Sequence, residues 1–139
     1  MKCNYQFSSV PESGVIAVVE GALLRLFFDI VEAPKALARG GSVDDDEAVG
    51  EPDIPIYDCV QVDVASGRTY ADIVGAIVND RYSADDVQAI LANHSEANDG
   101  DSDLADDKRE EYMAEYAEFQ QWRRHAKEIA VIALEQINQ

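Results

Sequence analysis

Apolar and polar residues alternate in two segments of this chain. In residues 2–8, Cys3, Tyr5 and Phe7 alternate with polar residues, and residues 56–64 repeat the pattern with valine on one face. A period of two is the repeat of a β-strand, because successive side chains point to opposite faces of a sheet. Both segments are therefore predicted to be strands.

Two continuous apolar runs lie between these segments. Residues 15–19 follow a turn at 11–14, and residues 23–31 follow the Glu20-Gly21 turn directly. Unbroken apolar runs of this length are typical of central strands, and their close spacing predicts a hairpin or meander. A helix also fits residues 22–33, but the run is short and follows a turn, so we favour the strand.

The pattern changes to a helical one after residue 68. Thr69 and Ser83 each have an aspartate three residues later, which is a form of the capping box that begins a helix. Apolar residues then recur at threes and fours as Tyr70, Ile73, Val74, Ile77, Val78, Val87, Ile90 and Leu91. Residues 69–94 are therefore predicted to form a helical hairpin, with the form of a helix-turn-helix.

A last helix is predicted over residues 108–138. Its apolar stripe consists of Tyr112, Tyr116, Phe119, Ala126, Ala130, Ala133 and Ile137, and Trp122 is assigned a position beside that stripe. A helix that starts near residue 106 would be about 48 Å long. This length exceeds what one compact domain needs, so we expect the helix to be broken or to reach a partner.

These elements predict one α+β domain over residues 1–139. An N-terminal antiparallel sheet of about four strands, mainly within residues 1–64, is followed by the helical hairpin and the C-terminal helix. Two acidic segments rich in helix-breaking residues, 40–53 and 95–107, are predicted to be loops. The acidic block at 44–47 is predicted to be an exposed loop, and the alternatives are a cation site or a docking tail.

The formal net charge of −17 opposes nucleic-acid binding. Phosphate contacts need Lys, Arg or free amide donors, yet the second helix of the predicted pair begins with Asp85 and Asp86. The hairpin is therefore expected to pack on the sheet instead of reading DNA. The charge favours solubility, a basic partner, bound cations or imitation of nucleic acid.

One segment has the ligand spacing of a calcium loop. Asp99, Asp101 and Asp103 stand at positions 1, 3 and 5 of an EF-hand loop, and Glu110 stands at position 12. Leu104 stands where the loop needs glycine for its sharp turn. A solvated acidic loop is therefore the main interpretation, and a calcium site is the alternative.

The sequence contains no pattern that identifies an enzyme. It lacks a GxSxG motif and a glycine-rich phosphate loop, and its two histidines have no spaced partners. The thiols of Cys3 and Cys59 are too few for a disulfide framework and are expected to be buried and reduced. We expect no catalytic residue, no cofactor, no membrane segment and a cytoplasmic location.

Aromatic residues at 112–122 have two interpretations. They pack against the sheet, or they form a contact surface, because tyrosine, tryptophan and arginine dominate binding hot spots. The second interpretation assigns the interface to Trp122, Arg123, Tyr116 and Phe119. It also allows the last helix to join two copies of the chain.

Four segments resemble small acidic proteins encoded in prophage-like elements of gut Bacteroidetes. They are YDC at 57–59, TYADIVGAIV at 69–78, RYSADD at 81–86 and EFQQWRRHAK at 118–127. The resemblance covers about residues 57–134 and implies a phage structural or assembly context, with no catalytic residue to transfer. We therefore expect a non-enzymatic protein-interaction or assembly module, with a nucleic-acid-mimicking decoy as the alternative and a calcium-binding module as the third choice.

Overall fold

Seven secondary-structure elements are present in the computed structural model, which describes residues 1–7, 9–33 and 56–138. The strands are β1 (Lys2–Gln6), β2 (Ile16–Glu20), β3 (Leu23–Glu32) and β4 (Ile56–Val64), and the helices are α1 (Tyr70–Arg81), α2 (Ala84–Ala97) and α3 (Asp106–Ile137). The predicted α+β fold is confirmed. The predicted acidic loop at 40–53 lies outside the described residues.

The four strands form one antiparallel sheet in the order β1-β4-β3-β2. The β2–β3 hairpin turns at Gly21, whose φ of 63° is easily reached only by a residue without Cβ. β4 lies between β1 and β3, and its register places Cys59 opposite Cys3 and Val62 opposite Leu26. The strand prediction for residues 23–31 is confirmed, and the competing helix is wrong.

One face of the sheet carries the hydrophobic core. From β3 and β4, Leu24, Phe28 and Val64 are almost fully buried against α1 and α3. The helices contribute Ile73, Ile77, Trp122, Ala126, Ile129, Ala130 and Ala133. Small residues on α3 bring its backbone close to the sheet, because alanine side chains take little space between the two layers.

The capping boxes predicted from sequence are both present. The Thr69 hydroxyl accepts a hydrogen bond from the Asp72 N–H at 3.1 Å, and the Ser83 hydroxyl accepts one from Asp86 at 3.1 Å. In both boxes the aspartate carboxylate accepts a hydrogen bond from the backbone N–H of the cap residue. α2 continues to Ala97, three residues into the segment predicted as a loop.

α3 is one unbroken helix of 32 residues, and its two halves have different neighbours. The buried positions from Phe119 onward lie in its second half, most of them in the core cluster on the sheet. Residues 106–118 pack against α2 instead, where the Tyr116 ring stacks on His94 with centroids 3.6 Å apart. We call α2, the following loop and the first half of α3 (residues 84–118) the acidic arm.

Candidate functional site

A groove of about 590 Å³ lies on the outer side of the helical layer. One wall is α1, with Tyr70, Val74 and Val78, and the other is α3, with Phe119 and the cationic Arg123 and Lys127. Ala84 and Val87 from α2 also line it. The groove is therefore mostly apolar, with two positive charges along the α3 side.

The sequence of α1 explains the apolar wall. The five apolar residues of the α1 stripe are buried to different degrees, and Val74 and Val78 both pack on the core cluster and line the groove. Ile73 and Ile77 are fully buried in the core, whereas the Tyr70 side chain is 43% exposed and Val74 lines the groove. When a helix has more apolar residues than its core-facing stripe needs, the others form an apolar surface outside the core. On α1 this surface is the groove wall.

The positive charge of the groove contrasts with the rest of the chain. Residues 119–139 hold three basic and two acidic residues, while the acidic arm holds two basic and twelve acidic residues. Arg123 donates a hydrogen bond to the Gln120 side chain at 3.0 Å, which holds its guanidinium near the helix. The two ends of α3 therefore carry opposite charge.

The structure corrects the expectation that Trp122 lies beside the apolar stripe. Trp122 is only 6% exposed, and its indole N–H donates a hydrogen bond to the Ile77 carbonyl at 3.1 Å. The Arg81 guanidinium lies 3.9 Å from the ring centroid, a cation–π contact. Trp122 was misplaced because its polar neighbours in sequence concealed the i, i+3 relation to Phe119.

The other predicted interface residues lie in different places. Phe119 is 3% exposed and packs edge-to-face on Tyr82, with ring centroids 5.2 Å apart, while one side of it lines the groove. Arg123 is half-buried and lines the same groove. Tyr116 packs on α2. The structure thus brings Phe119 and Arg123 together and places Tyr116 at a separate contact.

The Arg109 side chain binds the backbone of the loop that carries the proposed calcium ligands. The Arg109 guanidinium donates hydrogen bonds to the carbonyl oxygens of Ala97 and, at 3.5 Å each, of Asp99 and Leu104. The Asp99 carboxylate accepts a hydrogen bond from the Asp101 N–H. Within the part of the chain that the structure describes, Asp99, Asp101, Asp103 and Glu110 do not converge as a metal site.

A polar pair that the sequence did not predict joins β3 to α3. The His125 Nε2 and the Asp29 carboxylate are 2.7 Å apart, beside a cavity of about 490 Å³. Asp29 has a φ of 53° and lies at an irregularity of β3 between Phe28 and Val31. Sequence separation hid the pair, because the two residues are 96 positions apart.

Among residues 1–7, 9–33 and 56–138, no helix combines the length and apolarity needed to cross a bilayer.

The chain matches no protein-family model, no curated protein and no solved structure.

Proposed function

We propose that this protein is a non-enzymatic assembly module, in which the groove of one copy binds the acidic arm of another. The observation that carries the proposal is the apolar groove with Arg123 and Lys127 on its side, in a chain of net charge −17. Such a groove attracts a surface that combines carboxylates with apolar side chains.

The acidic arm has the chemistry that the groove requires. Two large apolar side chains are exposed on it, Leu91 at 46% and Met113 at 41%. Met113 lies one helical turn after Glu110, which is also exposed, so the arm presents an apolar residue and a carboxylate on the same side of α3. Seated in a groove, Met113 would lie on the apolar wall and Glu110 near the cations.

The part of the arm with Glu110 and Met113 shares no residue with the groove, so the contact is heterologous. A heterologous contact leaves one free groove and one free arm in every dimer, and assembly continues unless the arrangement closes into a ring. Removing either surface should therefore stop growth. A mixture of two different blocked copies should stop growth at a dimer.

The test is sedimentation velocity of four proteins over a concentration series at low salt. The wild type is expected to form larger species with rising concentration and to revert to monomer at high salt, where charge pairs are screened. The groove variant with Arg123→Glu and Lys127→Glu should stay monomeric, as should the arm variant with Glu110→Lys and Met113→Lys. We expect each variant to weaken association at least about ten-fold.

The mixture of the two variants is the sharpest measurement. A copy with an intact groove and a copy with an intact arm should form a 1:1 dimer that does not grow. Arg124→Glu is the matched control, because Arg124 is exposed on the same helix and does not line the groove. Wild type that remains a monomer at every salt and concentration would refute the assembly role.

The second candidate is a decoy that imitates nucleic acid, and one observation favours it. Asp107, Glu111 and Glu115 are exposed at intervals of four residues on α3, which corresponds to about 6 Å along the helix axis. The Lys108 ammonium lies 2.8 Å from the Glu111 carboxylate and offsets one charge of this row. A decoy predicts 1:1 binding to a basic protein that Glu115→Gln weakens and the groove variant leaves intact.

A further inference from the structure

The two cysteines of the chain face each other across neighbouring strands. Cys3 on β1 is the register partner of Cys59 on β4, although the two residues are 56 positions apart in sequence. Their Sγ atoms are 3.7 Å apart, and both thiols are free. They lie on the sheet face opposite the core cluster, so this pair is separate from the helical groove.

We propose that Cys3 and Cys59 form a reversible disulfide in the folded protein, with a low-molecular-weight disulfide as the oxidant. The sulfur atoms need to approach by about 1.7 Å to reach bonding distance. Among the described residues β1 pairs with β4 alone, so no strand on its other side holds it back from this small shift. The bond would attach that outermost strand covalently to the centre of the sheet.

The ladder position of the pair makes such a bond easy to reduce. Met1 and Gln61 exchange two backbone hydrogen bonds, at 2.7 and 3.1 Å. Because hydrogen-bonded and non-hydrogen-bonded pairs alternate, Cys3 and Cys59 also form a hydrogen-bonded pair, in which the Cβ atoms are farther apart. A disulfide across this spacing is strained, and strained disulfides are the labile ones.

The reaction consists of two exchange steps. The Cys3 thiol loses its proton, and its thiolate attacks one sulfur of the small disulfide, whose S–S bond breaks and releases one small thiol. The Cys59 thiol then loses its proton and attacks Cys3 Sγ, which releases the second small thiol. In total, two protein thiols are oxidised to one disulfide, and the small disulfide is reduced to two thiols.

The surroundings of the two thiols set this order. Cys59 is 3% exposed, and burial together with the hydrogen bond to Cys3 raises its pKa to about 12. Cys3 is only half-buried, so it meets the oxidant first. Cys59 reacts second, inside the protein, where the neighbouring sulfur is already in contact.

The experiment equilibrates the full chain with reduced and oxidised glutathione, quenches free thiols by alkylation and measures intact mass. The folded protein is expected to lose the mass of two hydrogen atoms, to carry no glutathione and to recover both thiols with dithiothreitol. Because the chain contains two cysteines, the mass change identifies the bond. Two alkylated thiols after equilibration with oxidised glutathione, or disulfide-linked dimers, would refute the proposal.

Two single variants test the order of attack. Cys59→Ser should accumulate one stable glutathione adduct on Cys3, whereas Cys3→Ser should stay unmodified until urea unfolds it. An adduct that persists on wild-type Cys3 would show that Cys59 does not reach it and would contradict the inference. Circular dichroism melting of each variant verifies the fold, and the wild-type measurement decides the question if a variant does not fold.

Discussion

The side-chain amide of Gln136 binds the backbone of Ala17 at the outer edge of β2. Its Oε1 accepts the Ala17 N–H at 2.9 Å, and its Nε2 donates to the Val15 carbonyl at 2.6 Å. The amide thus takes the place of a peptide group from a further strand. An unprotected edge strand pairs readily with another chain, so this contact satisfies two backbone groups and covers the β2 edge at Ala17.

Gln136→Leu is expected to destabilise the protein and to expose the β2 edge. Loss of two hydrogen bonds to partly buried backbone groups costs about 1–3 kcal/mol in the free energy of unfolding. Urea unfolding measures this cost, and light scattering on heating reports aggregation. Gln136→Glu is the matched control, because its carboxylate still accepts the Ala17 N–H but cannot donate to Val15. It should lie between wild type and Gln136→Leu, and equal stability of all three would contradict the edge role.

Asp29 is strained by its backbone and held by His125. A residue with Cβ at a φ of 53° costs about 1–2 kcal/mol, and asparagine tolerates this conformation best after glycine. Asp29→Asn is therefore expected to change stability little, since its amide still meets the imidazole. Asp29→Val should destabilise by at least about 2 kcal/mol, because a β-branched residue fits this region poorly. Thermal melting of both variants makes the comparison, and an equally stable Asp29→Val would show that the strain is absent.

Trp122 links α1 and α3 through its indole N–H and its ring. Trp122→Phe removes the hydrogen bond to the Ile77 carbonyl and weakens the contact with Arg81. We expect a loss of about 1–3 kcal/mol in unfolding free energy, measured by urea denaturation. Arg81→Gln keeps the indole hydrogen bond and removes the cation–π contact, worth about 1 kcal/mol, together with the positive charge in the last turn of α1. If Trp122→Phe costs no more than Arg81→Gln, the indole hydrogen bond contributes nothing.

Asp72 makes the stability of α1 depend on pH. Hydrogen bonds from the Thr69 hydroxyl and backbone N–H lower the pKa of Asp72 below its ordinary value of 3.8. Because the folded-state pKa is the lower one, the carboxylate stabilises the fold above pH 3.8, and this contribution is lost as the pH falls through the folded-state pKa. Asp72→Asn should therefore be less stable than wild type near neutral pH.

The difference between wild type and Asp72→Asn isolates this group from the other carboxylates, whose mutual repulsion also changes with pH. Urea midpoints of the two proteins should differ at about pH 6 and converge toward about pH 2. Asp86→Asn, in the second capping box, is the matched comparison on α2. A difference for Asp72→Asn that stays constant over this range would contradict the lowered pKa.

Local patterns in the sequence determined most of the fold. The period of two in residues 2–8 and the capping pairs at Thr69 and Ser83 depend on neighbours within a few residues, so they can be read without the structure. The prediction of a strand at 23–31 was also correct, because the short run and the turn before it favoured a strand over the helix that the apolar spacing also allowed. The end of α2 was predicted three residues too early. The polar residues that follow His94 are compatible with both the end of a helix and a loop, so the sequence did not show that α2 continues to Ala97.

The candidate sites depended on contacts between distant segments. The indole of Trp122 bonds to the Ile77 carbonyl, 45 positions away in sequence, and no local pattern reveals this contact. The contact between Asp29 and His125 could not be predicted from the sequence either, because the two residues are 96 positions apart. The groove was missed because the apolar residues of α1 were counted as one stripe, whereas only the packing of α3 decides which of them are covered.

The sequence by itself determined the α+β order of elements, the helix starts and the acidic character of this protein, since each follows from short-range periodicity or composition. The tertiary structure alone decided that Cys3 meets Cys59, that Gln136 covers the β2 edge and that Arg123 lies beside an apolar groove. The physical reason is that strand register and helix packing join residues far apart in the chain, and these contacts minimise exposed apolar area over the whole domain.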